Sequence, residues 1–124
     1  HYGLQVDLVV ENECRLDIPD RVSCQLLRII QEALSNVRKH ARARKVLLSC
    51  SRVEDQILVE IEDDGQGFDL ANLQDKVQDS YGLQIMQERA ESIGGRLGLD
   101  SQLGRGTRVE VYCPLAGFPG EGRS

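Results

Sequence analysis

Gln31-Glu32-Ala33-Leu34-Ser35-Asn36-Val37-Arg38-Lys39-His40-Ala41 is the second half of a stretch whose apolar residues recur at helical spacing. Val22, Leu26, Ile29, Ile30, Ala33, Leu34 and Val37 follow one another at intervals of three, four and seven, which predicts a helix over residues 20–40 buried along one face. At about 100° per residue, Glu32, Asn36 and Lys39 fall on one stripe at the margin of that face. Glu32 and Asn36 are surface neighbours on such a helix. A carboxylate, a carboxamide and an ammonium so placed can hold a metal-bound, oxygen-rich ligand. The same stripe also describes a solvated helix flank.

Working outward, residues 4–10 alternate as a strand, and Pro19 and Asp20 punctuate the helix start, with Asp20 the expected N-cap. Arg38, Lys39, His40, Arg42 and Arg44 crowd the other end, where cations suit the helix dipole. Residues 45–53 and 56–62 then read as a hairpin turning at Glu54-Asp55. Residues 69–80 are polar with weak periodicity, a candidate lid. A second helix begins at Gly82, with Leu83, Ile85, Met86, Ala90 and Ile93 expected to face inward and Gly94-Gly95 to stop it. Residues 96–102 and 107–113 alternate as two more strands around Leu103-Gly104-Arg105-Gly106. This order predicts a two-layer α/β sandwich, one mixed, mostly antiparallel sheet covered on one face by helices. The other face is expected to be partly solvated, with Ser49, Ser51, Glu60 and Glu62 on it.

The 124 residues, 40% of them hydrophobic, suffice for one domain with a real core, expected over residues 1–115. Residues 116–124, rich in glycine, read as a disordered tail. A net charge of −5 lacks the basic surplus of a nucleic-acid binder. No apolar run spans a membrane, and no signal segment opens the chain. Because it begins on His1-Tyr2-Gly3, the chain reads as a domain of a longer protein. Cys14, Cys24, Cys50 and Cys113 make no Cys-x-x-Cys pair, so no zinc or redox motif is indicated and reduced thiols in a cytoplasmic protein are expected.

The chemistry concentrates in glycine-bearing segments. Asp63-Asp64-Gly65-Gln66-Gly67 puts a carboxylate at the end of a strand, with glycines that let a flat ligand approach the backbone. That carboxylate can accept from an exocyclic amine, which distinguishes adenine from guanine. Tyr81-Gly82-Leu83 opens a helix whose N-terminal amides attract phosphate oxygens. Gly104-Arg105-Gly106-Thr107 enters the last strand, where the Thr107 hydroxyl can meet a base or a water. Taken singly, each is also what an ordinary turn or hairpin looks like.

In chain order these segments resemble the ATP-binding catalytic domain of sensor histidine kinases, in the GHKL superfamily with gyrase B, a heat-shock chaperone and mismatch-repair ATPases. Residues 32–41 look like the N-box, 63–67 the first glycine box, 81–86 the second, and 104–107 the final Gly-x-Gly-Thr. The wording Gln-Glu-Ala-Leu-x-Asn-x-x-Lys-His-Ala is closest to the branch of nitrate-responsive and lipid- or cell-wall-sensing kinases. The likeness covers about residues 4–113 and implies the Bergerat ATP-binding fold.

The resemblance implies ATP and Mg²⁺ as ligands. Asn36 would coordinate the metal, and Lys39 and His40 would contact phosphate oxygens. Asp63 would hold the adenine amine, with Gly65, Gly67 and Thr107 around the base. Gly82 and Leu83 would receive the phosphates. Glu32 takes the position of the general base in hydrolysing relatives, and here acts either as base or as a positioner of Asn36. The implied partners are a helical hairpin that dimerises and carries the phosphoacceptor histidine, and a response regulator. Neither His1 nor His40 suits the acceptor role. The sequence departs from the wider pattern in having no clear phenylalanine-containing box and a short lid between Phe68 and Tyr81. The alternatives are a self-sufficient gyrase-type ATPase, an anti-sigma-factor serine kinase of the same superfamily, and a non-catalytic interaction domain.

Overall fold

Strand β3 (Gln56–Asp63) organises the sheet, because its side chains alternate strictly between a buried and a solvated face. Ile57, Val59 and Ile61 are nearly solvent-free, Leu58 and Glu60 are half-buried, and Glu62 is exposed. The period-two pattern of the sequence is therefore the pleat of a half-buried strand. A computed structural model describes residues 4–11, 18–67 and 82–114, with the side chains of His40 and Ala41 left out. The expected lid over residues 69–80 and tail over 116–124 lie outside the described residues.

On one side β3 pairs antiparallel with β2 (Lys45–Val53), and on the other with β5 (Gly106–Pro114). Strand β4 (Arg96–Gln102) continues antiparallel beyond β5, and β1 (Gln5–Val10) lies parallel to β2 at the opposite edge. The five-stranded order is β1-β2-β3-β5-β4, mixed and mostly antiparallel as expected. A parallel pair needs a long crossover. Here it contains α1 (Asp20–Asn36), the long helix of the sequence. The second helix, α2 (Leu83–Ser92), packs beside α1.

The core lies between the helices and one face of the sheet. Val22, Leu26, Ile29 and Ala33 of α1 and Met86 and Ala90 of α2 meet Val46, Ile57, Val59, Ile61, Val109 and Val111 of the strands. The opposite face is the polar one: Arg108 bridges Asp100 and Glu110 at 3.3 and 3.4 Å, and Arg96 lies 4.2 Å from the Tyr112 ring centroid. No helix among the described residues is long and apolar enough to cross a membrane.

Three local expectations are corrected. The N-cap is Pro19, not Asp20. Proline's extended backbone (φ −55°, ψ 143°) turns its carbonyl to accept from Ser23, leaving Asp20 in the first turn against the positive end of the dipole. The long helix is regular only to Asn36 and widens to a π-type turn over Val37–Ala41, ending at a left-handed Arg42. Ile85 is half-exposed rather than inward. It stands two residues from Leu83, so the helical twist carries it to the other side. Of the four cysteines, Cys24, Cys50 and Cys113 are free thiols, and burial pushes that of Cys113 up to about 11.

Candidate functional site

Asp63 occupies the inward phase of β3, where every earlier residue in that phase is apolar. It is 6% exposed, and its Oδ1 accepts the Gly65 N–H at 2.8 Å. Burial pushes its carboxyl above the ordinary carboxylate range, opposed by the backbone hydrogen bonds from Gly65 and Thr107. Directly across the ladder stands Thr107, and directly across from Thr107 stands Ser101 of β4. The two hydroxyl oxygens are 2.8 Å apart. One row of the sheet thus carries three polar side chains on its helix-facing side, at the end where the core stops.

The loop after β3 folds back over this row. Gln66 accepts the Gly104 N–H at 2.7 Å, joining the first glycine box to the β4–β5 turn. Gly67 lies so close to the carbonyls of Gln102 and Gly106 that a Cβ would overlap them. Asp64, next to Asp63, does something different. Its Oδ1 accepts the Arg44 and Lys45 N–H groups at 2.9 and 3.0 Å, and its own N–H donates to the Lys45 carbonyl at 3.2 Å. These bonds, the Lys45 N–H first, hold its carboxyl below the usual range. The end of the basic segment is thereby tied to the turn that carries Asp63.

The helices supply the other wall. Glu32, half-buried on α1, lies against Gly82, the left-handed residue (φ +59°) that opens α2. A Cβ on Gly82 would overlap the Glu32 carboxylate. We expect Gly82→Ala to destabilise the ligand-free chain by about 1–2 kcal/mol from the left-handed backbone, with a further, smaller cost for displacing Glu32. Urea unfolding should show Glu32→Ala relieving only that second part. Full relief would mean that the backbone at Gly82 had relaxed.

Between these walls is a cavity of about 450 Å³ lined by Asn36, Asp63, Gly67, Leu83 and Thr107 together with an apolar set that includes Ala33, Met86 and Leu99. Five of the sequence-nominated residues therefore meet at one place. Gly65 is buried beside Asp63, and Gly82 with Glu32 lies at the rim next to Leu83. Lys39 is exposed on the π-type turn and does not line the cavity, while the His40 side chain lies outside the described residues. Among the described residues no three His, Cys, Asp or Glu side chains gather to hold a metal. A single carboxamide fits a cation that takes most of its oxygens from phosphate and water, as Mg²⁺ does. Sequence reasoning missed Ser101. Its signal was a hydroxyl in the same phase as Leu97 and Leu99 along β4.

Known proteins share this arrangement. The family described as histidine kinase-, DNA gyrase B-, and HSP90-like ATPase matches residues 22–117. The sensor protein VraS of Staphylococcus saprophyticus is 40% identical over 107 residues, 86% of this chain and 30% of the relative. VraS of Staphylococcus aureus is 40% identical over 98 residues, 79% of this chain and 27% of its own length. The chain thus spans under a third of the length of these relatives. Among solved structures, the histidine kinase domain of the blue-light activated kinase of Erythrobacter litoralis EL346 superposes with a TM-score of 0.76 at 24% identity, over 94% of this chain and 54% of that one. Full-length ShkA in complex with AMPPNP superposes at 0.75 with 21% identity, over 90% of this chain and 26% of that one. The chain belongs to the histidine kinase-, DNA gyrase B- and HSP90-like ATPase family, as an ATP-binding catalytic domain of the sensor histidine kinase type.

Proposed function

We propose that residues 1–115 bind Mg·ATP in this cavity and present its γ-phosphate to a histidine on a helical hairpin of the whole protein, from which a response regulator takes it. The observation that carries the reading is Asp63, an ionisable side chain buried at the floor of an otherwise largely apolar cavity opposite Thr107. Such a group accepts from the exocyclic amine of adenine while apolar walls cover the ring faces. Gly67 leaves room for the base beside the backbone. Gly82 and Leu83, at the N-terminus of α2, receive phosphate oxygens.

Asn36 is placed to hold Mg²⁺, which supplies charge neutralisation between the phosphates when bound. Lys39 and His40 approach the phosphates from the π-type turn. Glu32 lies against the Gly82 turn, which supports positioning rather than proton transfer as its part. The chain's own contribution is then orientation and charge stabilisation, as is general for phosphoryl transfer. The reaction runs on the cytoplasmic side of the cell boundary.

Calorimetric titration with a non-hydrolysable ATP analogue, with and without Mg²⁺ and against a GTP analogue, tests this. Adenine-selective, magnesium-strengthened binding is expected. Asn36→Ala should lose the magnesium dependence and about tenfold or more in affinity, the scale of one strong polar contact. Magnesium-coupled binding that survives in Asn36→Ala removes Asn36 from the metal. ATP turnover by the chain alone, lost in Glu32→Gln, would replace the kinase reading with a gyrase-type ATPase.

A further inference from the structure

Ser101 is a buried hydroxyl for which the nucleotide reading has no use, 4% exposed on β4 and facing the helices. Its hydrogen bonds fix more than its own position. A serine hydroxyl has one hydrogen and a backbone carbonyl has none to give. Ser101 Oγ stands 3.1 Å from the Gly106 carbonyl oxygen, so its hydrogen points there. Its contact with Thr107 Oγ1, at 2.8 Å, must then take its hydrogen from Thr107. Thr107 is left with only lone pairs to turn toward the cavity it lines.

We propose that Ser101 is a base-specificity residue: by taking the Thr107 hydrogen, it makes the Thr107 hydroxyl an obligate acceptor toward the purine edge. The inference rests on the assignment of this cavity to adenine. With Asp63 ionised, the two side chains paired across β3 and β5 both present acceptors. An exocyclic amine satisfies them with its two hydrogens, whereas a 6-keto oxygen meets lone pairs. A Thr107 hydroxyl free to rotate would donate to the keto oxygen and tolerate either base. Ser101 removes that freedom, and Gly106, through its positive φ of 85°, aims the carbonyl that holds Ser101 in turn.

The test compares ADP with IDP, which differ at the 6-amino or 6-keto group, by calorimetry in magnesium buffer on the whole chain. The wild type should prefer ADP. Ser101→Ala should shrink the ADP-to-IDP affinity ratio about 5- to 20-fold, the scale of one neutral hydrogen bond made or opposed. Ser101→Cys, of similar size and weak as an acceptor, should move the ratio the same way and serves if the alanine variant fails to fold by circular dichroism. In Thr107→Val, which has no hydroxyl to orient, Ser101→Ala should change nothing further. An unchanged ratio in a folded Ser101 variant overturns the proposal, as does an equal change in the Thr107→Val background. Asp63→Asn separates the two levels. If ADP binding is absent, or indifferent to Asp63→Asn, the adenine assignment fails and this inference with it. If binding depends on Asp63 and the ratio ignores Ser101, only this inference fails.

Discussion

Gly106→Ala should destabilise the chain by about 3 kcal/mol or more, and Gly104→Ala by about 1 kcal/mol. The two glycines belong to one Gly-Arg-Gly motif and have nearly the same backbone, φ +83° at Gly104 and +85° at Gly106. Left-handed strain is therefore common to both. Their surroundings differ. A Cβ on Gly104 meets nothing within 4 Å, while one on Gly106 would overlap the Asp63 carbonyl and approach Asp64 Cα at 3.2 Å. Those are backbone atoms at the end of the β3–β5 ladder, and no rotamer change moves them aside. The strands must part where Asp63 faces Thr107. Urea unfolding of both variants checks the difference. Equal losses would show that the close approach at Gly106 is softer than its geometry implies.

Asp63→Asn should lower ADP affinity about 10- to 100-fold while making the ligand-free chain more stable at neutral pH. Burial raises the Asp63 pKa above 3.8, so the folded chain holds this proton more tightly than the unfolded chain. Stability from this group is then fully present below 3.8 and is lost as pH rises through the folded value. An amide never ionises and escapes that loss, and its oxygen still accepts from Gly65. Asp64 has the opposite sign. Its pKa is lowered, so its contribution is present above 3.8 and lost as pH falls through the lower folded value. Adjacent aspartates thus act in different pH windows, one serving the ligand and the other the turn. Thermal melts of Asp63→Asn against wild type between pH 3 and pH 8 follow both effects, and a variant less stable than wild type at pH 7 would contradict the burial argument.

The elements of this fold were readable because each carries its own period. The 3.6-residue pattern of residues 22–37 and the two-residue pattern of residues 56–63 each describe one buried face, and both faces are where the pattern puts them. What the pattern lacks is partner information. Nothing in residues 4–10 says that β1 runs parallel to β2, since register depends on the crossover and not on the strand itself. The Pro19 cap and the widened turn after Asn36 were hidden for a similar reason: both are decided by backbone angles of one or two residues. In the site, Asp63, Gly67, Gly82 and Thr107 stood out because glycines and a lone carboxylate interrupt apolar alternation. Ser101 escaped notice because a serine in a strand has many uses, and its meaning arises only from the hairpin that sets it opposite Thr107.

The parallel edge has a consequence for how the molecule opens. All six residues of β1 are exposed, and the strand is hydrogen-bonded to β2 alone across a crossover of more than thirty residues. Strands β2, β3, β5 and β4 form a single antiparallel block of their own. Closing the long crossover costs chain entropy that the hairpins do not incur. Amide hydrogen exchange should therefore be fastest in β1 and slowest in β3 and β5, with α1 between them. The floor that receives the base then persists through fluctuations that loosen the helix carrying Glu32 and Asn36. Nucleotide should slow exchange in α1 by a larger factor than in β3, because only the helical arm has local opening left to suppress.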